Sequence, residues 1–79
     1  MTVVEAINNS GIVVNNFFDL VIFAVDENGE QVGSILSEDQ VSKEMFEVYI
    51  PKKYRDMEIV DYYKGRDCGR WFIAVNVRD

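Results

Sequence analysis

The sequence predicts an α+β domain: a small, mostly antiparallel sheet or partly closed barrel of about five strands, with one short N-terminal helix. Three observations predict it. Leu20 to Val25 is apolar at every position, the signature of a strand buried on both faces. Asn28-Gly29 lies between that run and a second apolar stretch, the strongest short-range hairpin signal. Trp71, Ile73, Val75 and Val77 alternate with Phe72, Ala74 and Asn76, the two-residue period of a strand with unlike faces.

The elements follow in chain order. Thr2-Val-Val-Glu5 fits a capping box, in which the Thr2 hydroxyl and the Glu5 carboxylate each satisfy a free backbone N–H. Val3, Ala6 and Ile7 recur at helical spacing, and Asn9-Ser10-Gly11 supplies an ending. A short helix over residues 3–9 is the first reading; a strand is its rival, because Val3-Val4 favours extended backbone. Residues 12–25 read as extended, with Ile12-Val13-Val14 β-branched throughout and Asn15-Asn16 a bulge or turn. A two-residue turn at Asn28-Gly29 sets Val25 against Val32, Phe23 against Ser34 and Ile22 against Ile35. It also opposes Glu27 and Glu30, an unfavourable like-charge pair. A three-residue loop with left-handed Gly29 avoids that pair, and both turns remain open.

Ser37 to Lys43 is polar and reads as a loop or a single helical turn. Phe46, Val48 and Ile50 alternate with Glu47 and Tyr49, the pattern of a half-buried strand, which Pro51 ends. Pro51 to Arg55 reads as a connector with a short 3₁₀ turn. Met57 to Tyr63 and Arg70 to Val77 then form a second hairpin around Lys64 to Gly69. Pairing Tyr63 with Arg70 there puts Tyr62 against Trp71 and Val60 against Ile73.

Seventy-nine residues, 48% hydrophobic and 28% charged, make a single domain over residues 1–79 with a stability of a few kcal/mol. One cysteine, Cys68, makes no internal disulfide, which suits a reducing cytoplasm better than secretion. No apolar run reaches the roughly 18 residues of a membrane span, and the N-terminus lacks the basic-then-apolar pattern of a secretion signal. The expected setting is cytoplasmic.

The absence of histidine narrows the chemistry. Serine and cysteine nucleophiles usually need a positioned base, and zinc sites lean on histidine or several cysteines. Cys68 sits between Arg66 and Arg70 and reads as an exposed thiol at a hairpin tip, since two cations alone do not make a catalytic set. Asp26-x-Asn28-x-Glu30 has the opening of a calcium loop, but glycine falls at its fourth position and serine at its twelfth, where glycine at the sixth and glutamate at the twelfth are required. A plain hairpin turn is the better reading. Glu44/Glu47 and Glu58/Asp61, placed on strands, send the members of each pair to opposite faces and build no acid–base site. No glycine-rich phosphate loop is present. The expectation is therefore no enzyme, no cofactor and no metal.

Charge carries what remains. No lysine or arginine precedes Lys43. The first 42 residues hold seven acids (Glu5, Asp19, Asp26, Glu27, Glu30, Glu38, Asp39) and no base, a formal −7. The other 37 hold eight bases and seven acids, a formal +1, and the two halves sum to −6. Such asymmetry speaks to partners and association rates, not to fold. If the first hairpin and the Ser37 turn lie together, Asp26, Glu27, Glu30, Glu38 and Asp39 crowd one end of the domain as a docking surface for a basic partner. Lys52, Lys53 and Arg55 folding back would neutralise it.

The leading expectation is thus a small acidic protein-binding module. In its concrete form it is an inhibitor, such as a phage-type anti-defence protein, that mimics nucleic acid by offering carboxylates to a basic groove of a partner enzyme. It would not bind nucleic acid or a membrane directly. The alternative is a small-ligand protein that binds or sequesters an anionic nucleotide through Tyr62, Tyr63, Arg66, Arg70 and Trp71. These residues, with Lys64, also supply the ingredients of single-strand nucleic-acid binding, which a net −6 opposes. Finally, a thin sheet with one helix covers only one face of Leu20–Val25. Either Val21, Phe23 and Val25 or Leu20, Ile22 and Ala24 then need cover from barrel closure, a homodimer or a tight heteromeric contact.

Overall fold

The computed structural model describes residues 1–12 and 16–78. Its elements are α1 (Val3–Asn8), β1 (Phe17–Val25), β2 (Gln31–Ser42), α2 (Phe46–Tyr49), α3 (Lys52–Arg55), β3 (Ile59–Asp67) and β4 (Arg70–Arg78). The strands form one open sheet in the order β2-β1-β4-β3. β1 and β4 are the central pair and run parallel, while the two outer pairings, β1 with β2 and β3 with β4, are antiparallel. The chain leaves the β1–β2 hairpin at one edge, crosses through α2 and α3, and builds the β3–β4 hairpin from the other edge inward. The α+β class holds. Among the described residues there are four strands rather than five and three short helices rather than one, and no barrel closes. The strand reading of Val13 and Val14 and the turn at Asn15 lie outside the described residues.

The N-terminal helix forms as its sequence dictates. Thr2 Oγ1 accepts from the Glu5 N–H at 3.3 Å and Glu5 Oε1 accepts from the Thr2 N–H at 3.1 Å. Those two bonds select helix over the rival strand, and Val3, Ala6 and Ile7 go to the core. The backbone bond from the Thr2 N–H pulls the Glu5 carboxyl below its ordinary value, with a second bond from the Thr2 hydroxyl adding to it. Gly11 takes the left-handed conformation, φ +80°.

The first hairpin closes as a three-residue loop. The Asp26 N–H donates to Glu30 O, the Gly29 N–H donates to Asp26 O, and Gly29 has φ +83°. This removes the Glu27–Glu30 pairing of the two-residue turn. Phe23 meets Ser34 as expected, but Val25 pairs with Gln31 and Ile22 with Leu36, because bulges at Val32 and Ile35 each take up one residue.

Two readings are corrected. Residues 37–42 are not a loop: they continue β2, whose ladder runs to Phe17↔Ser42. Their polarity reflects an edge strand rather than a turn, since edge strands carry charge where central ones cannot. Residues 46–50 are not a strand: Phe46 and Ile50, four apart, are buried, whereas Val48 between them is 72% exposed. Spacing of i and i+4 satisfies a helix as well as it satisfies alternation, and only the position of Val48 separates the two. Glu47 therefore lies on α2, paired with Arg55 at 3.6 Å, and not on a strand face.

The second hairpin is also longer than expected. Asp67 pairs with Arg70, Arg66 with Trp71 and Tyr63 with Ala74, so the Tyr63–Arg70 register is off by four residues on one strand. Cys68 and Gly69, with φ +51° and +78°, make the two-residue turn themselves, both left-handed as such hairpins require.

Partners across a ladder share a face. Phe18, Leu20, Ile22, Trp71, Ile73, Val75 and Val77 point to one side, where Val3 and Ile7 of α1, Phe46 of α2 and Ile50 pack on them to form the core. Asp19, Val21, Phe23, Phe72, Ala74 and Asn76 point to the other side. All three helices lie on the core side, so among the described residues no helix or strand covers this second face.

Candidate functional site

The five carboxylates of the expected docking surface are divided by the fold. Asp26, Glu27 and Glu30 sit at the β1–β2 turn, while Glu38 pairs with Leu20 and Asp39 follows it. Five residue steps of strand from Leu20 to Val25 separate the two groups by roughly 17 Å. They do not crowd one end: three sit at the turn and two, Glu38 and Asp39, lie on β2, a free edge of the sheet. Asp26 is spent on the turn itself, its Oδ1 accepting from the Asn28 and Glu30 N–H groups at 2.9 and 3.0 Å. Glu27, Glu30, Glu38 and Asp39 form no salt bridge among the described residues. Lys52, Lys53 and Arg55 do not neutralise them: Lys52 pairs with Asp56, Arg55 with Glu47, and Lys53 lies 4.8 Å over the Tyr54 ring. Arg70, bonded to Asp19, is the base whose charge reaches Asp39.

The alternative ligand set is divided as well. Tyr62, Arg66 and Trp71 lie on the core-side face, Tyr63 and Arg70 on the opposite one. What the structure does bring together is Lys64, Arg66 and Trp71, with the Lys64 ammonium 5.7 Å and the Arg66 guanidinium 5.4 Å from the indole centroid. Neither cation forms a salt bridge among the described residues. Lys64 was legible only as part of a basic loop, because its place on the indole depends on β3 continuing to Asp67.

A third constellation had no signal in the sequence. Asp19, half-buried on the open face, accepts from Arg70 Nη2 at 2.7 Å and from the Gln40 N–H at 3.1 Å. Gln40 is held at φ +57° in the bulge of β2, and with its side-chain amide assigned so that the oxygen faces Arg70, that oxygen accepts from Nε and Nη2 at 3.0 and 2.9 Å. These residues are 21 to 51 positions apart, and only the sheet order unites them. At the other end of the same face the Gln31 side chain donates to Asn76 Oδ1 at 3.0 Å, and Asn76 Nδ2 donates to Asp61 Oδ1 at 2.7 Å. Two polar ladders thus bracket the apolar residues Val21, Phe23, Phe72 and Tyr63.

Partial burial pushes the Asp19 carboxyl up, but the bonds from Arg70 and the Gln40 N–H, with the guanidinium charge, outweigh it and leave it below its ordinary value. A depressed carboxylate contributes stability above its unfolded pKa and loses it as pH falls through its folded one. Acid titration should therefore cost stability from the ordinary aspartate range downward, and Asp19→Asn should flatten that part of the profile. Denaturant midpoints across the acid range would check it. An unchanged profile in Asp19→Asn would show that the pair is screened out by solvent.

Cys68 is exposed at the hairpin tip. Among the described residues no group of three acidic, cysteine or histidine side chains converges as a metal site, and no helix is long and apolar enough to cross a membrane. No family model, curated protein or solved structure matches the chain. The function therefore has to be argued from these surfaces.

Proposed function

We propose that this protein is a binding module, not an enzyme, which docks the acidic edge strand β2 on a basic surface of a protein partner. One observation carries this reading: Glu27 and Glu30 at the β1–β2 turn and Glu38 and Asp39 on the edge strand lie along one flank of the sheet and form no salt bridge among the described residues, only Asp39 lying within reach of a base, Arg70, which is itself bonded to Asp19. A row of carboxylates along an extended edge matches an elongated basic groove, such as that of a nucleic-acid-binding enzyme, and opposite fields speed encounter and bias specificity. In that form the module acts as an inhibitor that occupies the groove in place of nucleic acid. The same edge also has unpaired backbone groups that a partner strand could use.

The test is the joint variant Glu27→Gln, Glu30→Gln, Glu38→Gln, Asp39→Asn. It should fold as the parent does and associate with the partner several-fold more slowly, the parent losing its advantage at high salt. Partners captured from a lysate of the source cells on the parent chain, then measured by surface plasmon resonance against both chains at low and high salt, provide the readout. Binding indifferent to salt and to all four substitutions overturns the proposal.

A second reading rests on the paired cations over Trp71. Lys64 and Arg66 converge on one indole in a chain of net −6, an arrangement suited to an anionic ring compound such as a nucleotide, which would stack and be neutralised there. Thermal-shift titration with nucleotides tests it. Ligand at 100 times its Kd should stabilise by about 2.7 kcal/mol and change Trp71 fluorescence, and a flat screen discards it.

A further inference from the structure

We infer that the open face of the sheet is covered by the same face of a second copy of this chain, related by a two-fold axis running along the strands. The face has a half-buried apolar centre of Val21, Phe23 and Phe72, packed around the buried Ala74 and edged by Tyr63, which is 48% exposed. Tyr63 and Phe72 meet edge to face, with ring centroids 6.1 Å apart. All the helices lie behind the sheet. An apolar sheet face of this kind is what paired sheets bury against each other in a sandwich.

The area is sufficient. Four strands spaced about 4.8 Å apart, each of nine residues or more rising about 3.3 Å apiece, present roughly 19 by 30 Å, or roughly 570 Å² per copy. Two such faces together bury roughly 1,100 Å², above the about 1,000 Å² that a specific interface should clear and at the small end of the range.

The polar groups of the face favour a copy over other occupants. Asp19 and Arg70 neutralise each other and Asp61 is bonded to Asn76, while Asp61, Asp67 and Arg78 are exposed at the margins of the face, so burial of its centre strands no charge unpaired. A strongly basic partner would find only Asp61 and Asp67 unmatched, both at the margins and offset in part by Arg78. Nucleic acid would find rings to stack on but, among the described residues, only Arg78 as a free cation, since Arg70 is held by Asp19 while Lys64 and Arg66 point to the other side.

The direction of the axis follows from the charge division. A two-fold along the strands lays β2 of one copy over β3 of the other and keeps the two acidic edges on opposite flanks. An axis across the strands would stack β2 on β2 and face the two acidic edges together. The inferred arrangement leaves both β2 edges open to solvent, so it does not depend on what those edges bind.

Multi-angle light scattering of the purified chain tests the inference. At tens of micromolar the mass should be about twice the 9.1 kDa of one chain. Phe23→Glu and, separately, Tyr63→Glu should each return it to a single chain while circular dichroism shows a folded protein. Val48→Glu, on the exposed side of α2, should leave the dimer intact. Tyr63 lies on an edge strand half open to solvent, so its variant stays informative if Phe23→Glu fails to fold. A monomeric parent overturns the inference, and so does a dimer that survives a folded Tyr63→Glu.

Discussion

Phe18→Ala is expected to destabilise the protein by about 3–5 kcal/mol. Phe18 is fully buried on the core side of β1, its backbone paired with Val41 on one flank and Trp71 on the other. Truncating it removes the transfer free energy of a phenyl ring and leaves a void among branched side chains that can collapse only in part. At roughly 0.05–0.15 kcal/mol per residue, 79 residues hold about 4–12 kcal/mol in total, so this one change removes a large share of it. In a domain of this size each kcal/mol moves the midpoint by about 4–8 °C, so a fall on the order of 20 °C is expected. Val48→Ala, at a side chain 72% exposed, should stay within about 0.5 kcal/mol. Urea and thermal denaturation of the two variants decide the matter: comparable midpoints would contradict both the inward face of β1 and the helical assignment of α2.

Gly65→Ala is the second large effect, and its sign depends on a neighbour. Gly65 pairs with Phe72 across β3 and β4, and a Cβ placed on it would lie 2.5 Å from Phe72 Cζ and 2.6 Å from Cε1. The ring lies across the glycine, filling the space that a side chain would take. Its backbone is not left-handed, so alanine is excluded by the ring and not by the main chain. Forcing the ring aside disturbs its edge contact with Tyr63 and should cost about 1–2 kcal/mol, in the range of overpacking. In a Phe72→Ala background the same substitution should be neutral or stabilising, because a glycine inside a strand is otherwise a liability. A double-mutant cycle measures this directly. Equal costs in the two backgrounds would mean that the ring does not rest on Gly65.

That glycine also shows where the sequence misleads. Lys64 to Gly69 has two glycines, three charges and a cysteine, and reads as a loop. Yet Gly65 is a strand residue whose missing side chain is explained only by a ring seven positions further on. The true turn, Cys68-Gly69, is two residues long. Residues 37–42 pose the same difficulty: their polarity belongs to a loop or to the exposed edge of a sheet, and which of these holds is decided by the pairing with β1. In α2 the periods of helix and strand coincide at Phe46 and Ile50, so the sequence pattern was degenerate there.

Other features were legible because they are local. The capping box of α1 needs only Thr2 and Glu5, three residues apart. The first hairpin needs Asn28 and Gly29 between two apolar runs, and the opposed faces of β4 need only alternation from Trp71 to Val77. These depend on backbone geometry and side chains within one or two turns, whose energetics are the same in any fold. The charge division at residue 42 is likewise a property of the sequence alone.

The sequence by itself thus determined the class, the first helix, the central strand, both hairpins and the acidic half of the chain. Only the tertiary structure decided the strand order and the parallel pairing of β1 with β4, and with it the choice of Val21, Phe23 and Phe72 as the open face. It alone divided the carboxylates between the first turn and β2, divided the aromatic and basic residues between two faces, and joined Asp19 to Arg70 and Gln40. The physical reason is common to all of these. Strand order is set by which faces find cover in the completed core, and no contact within a few residues of any position carries that information.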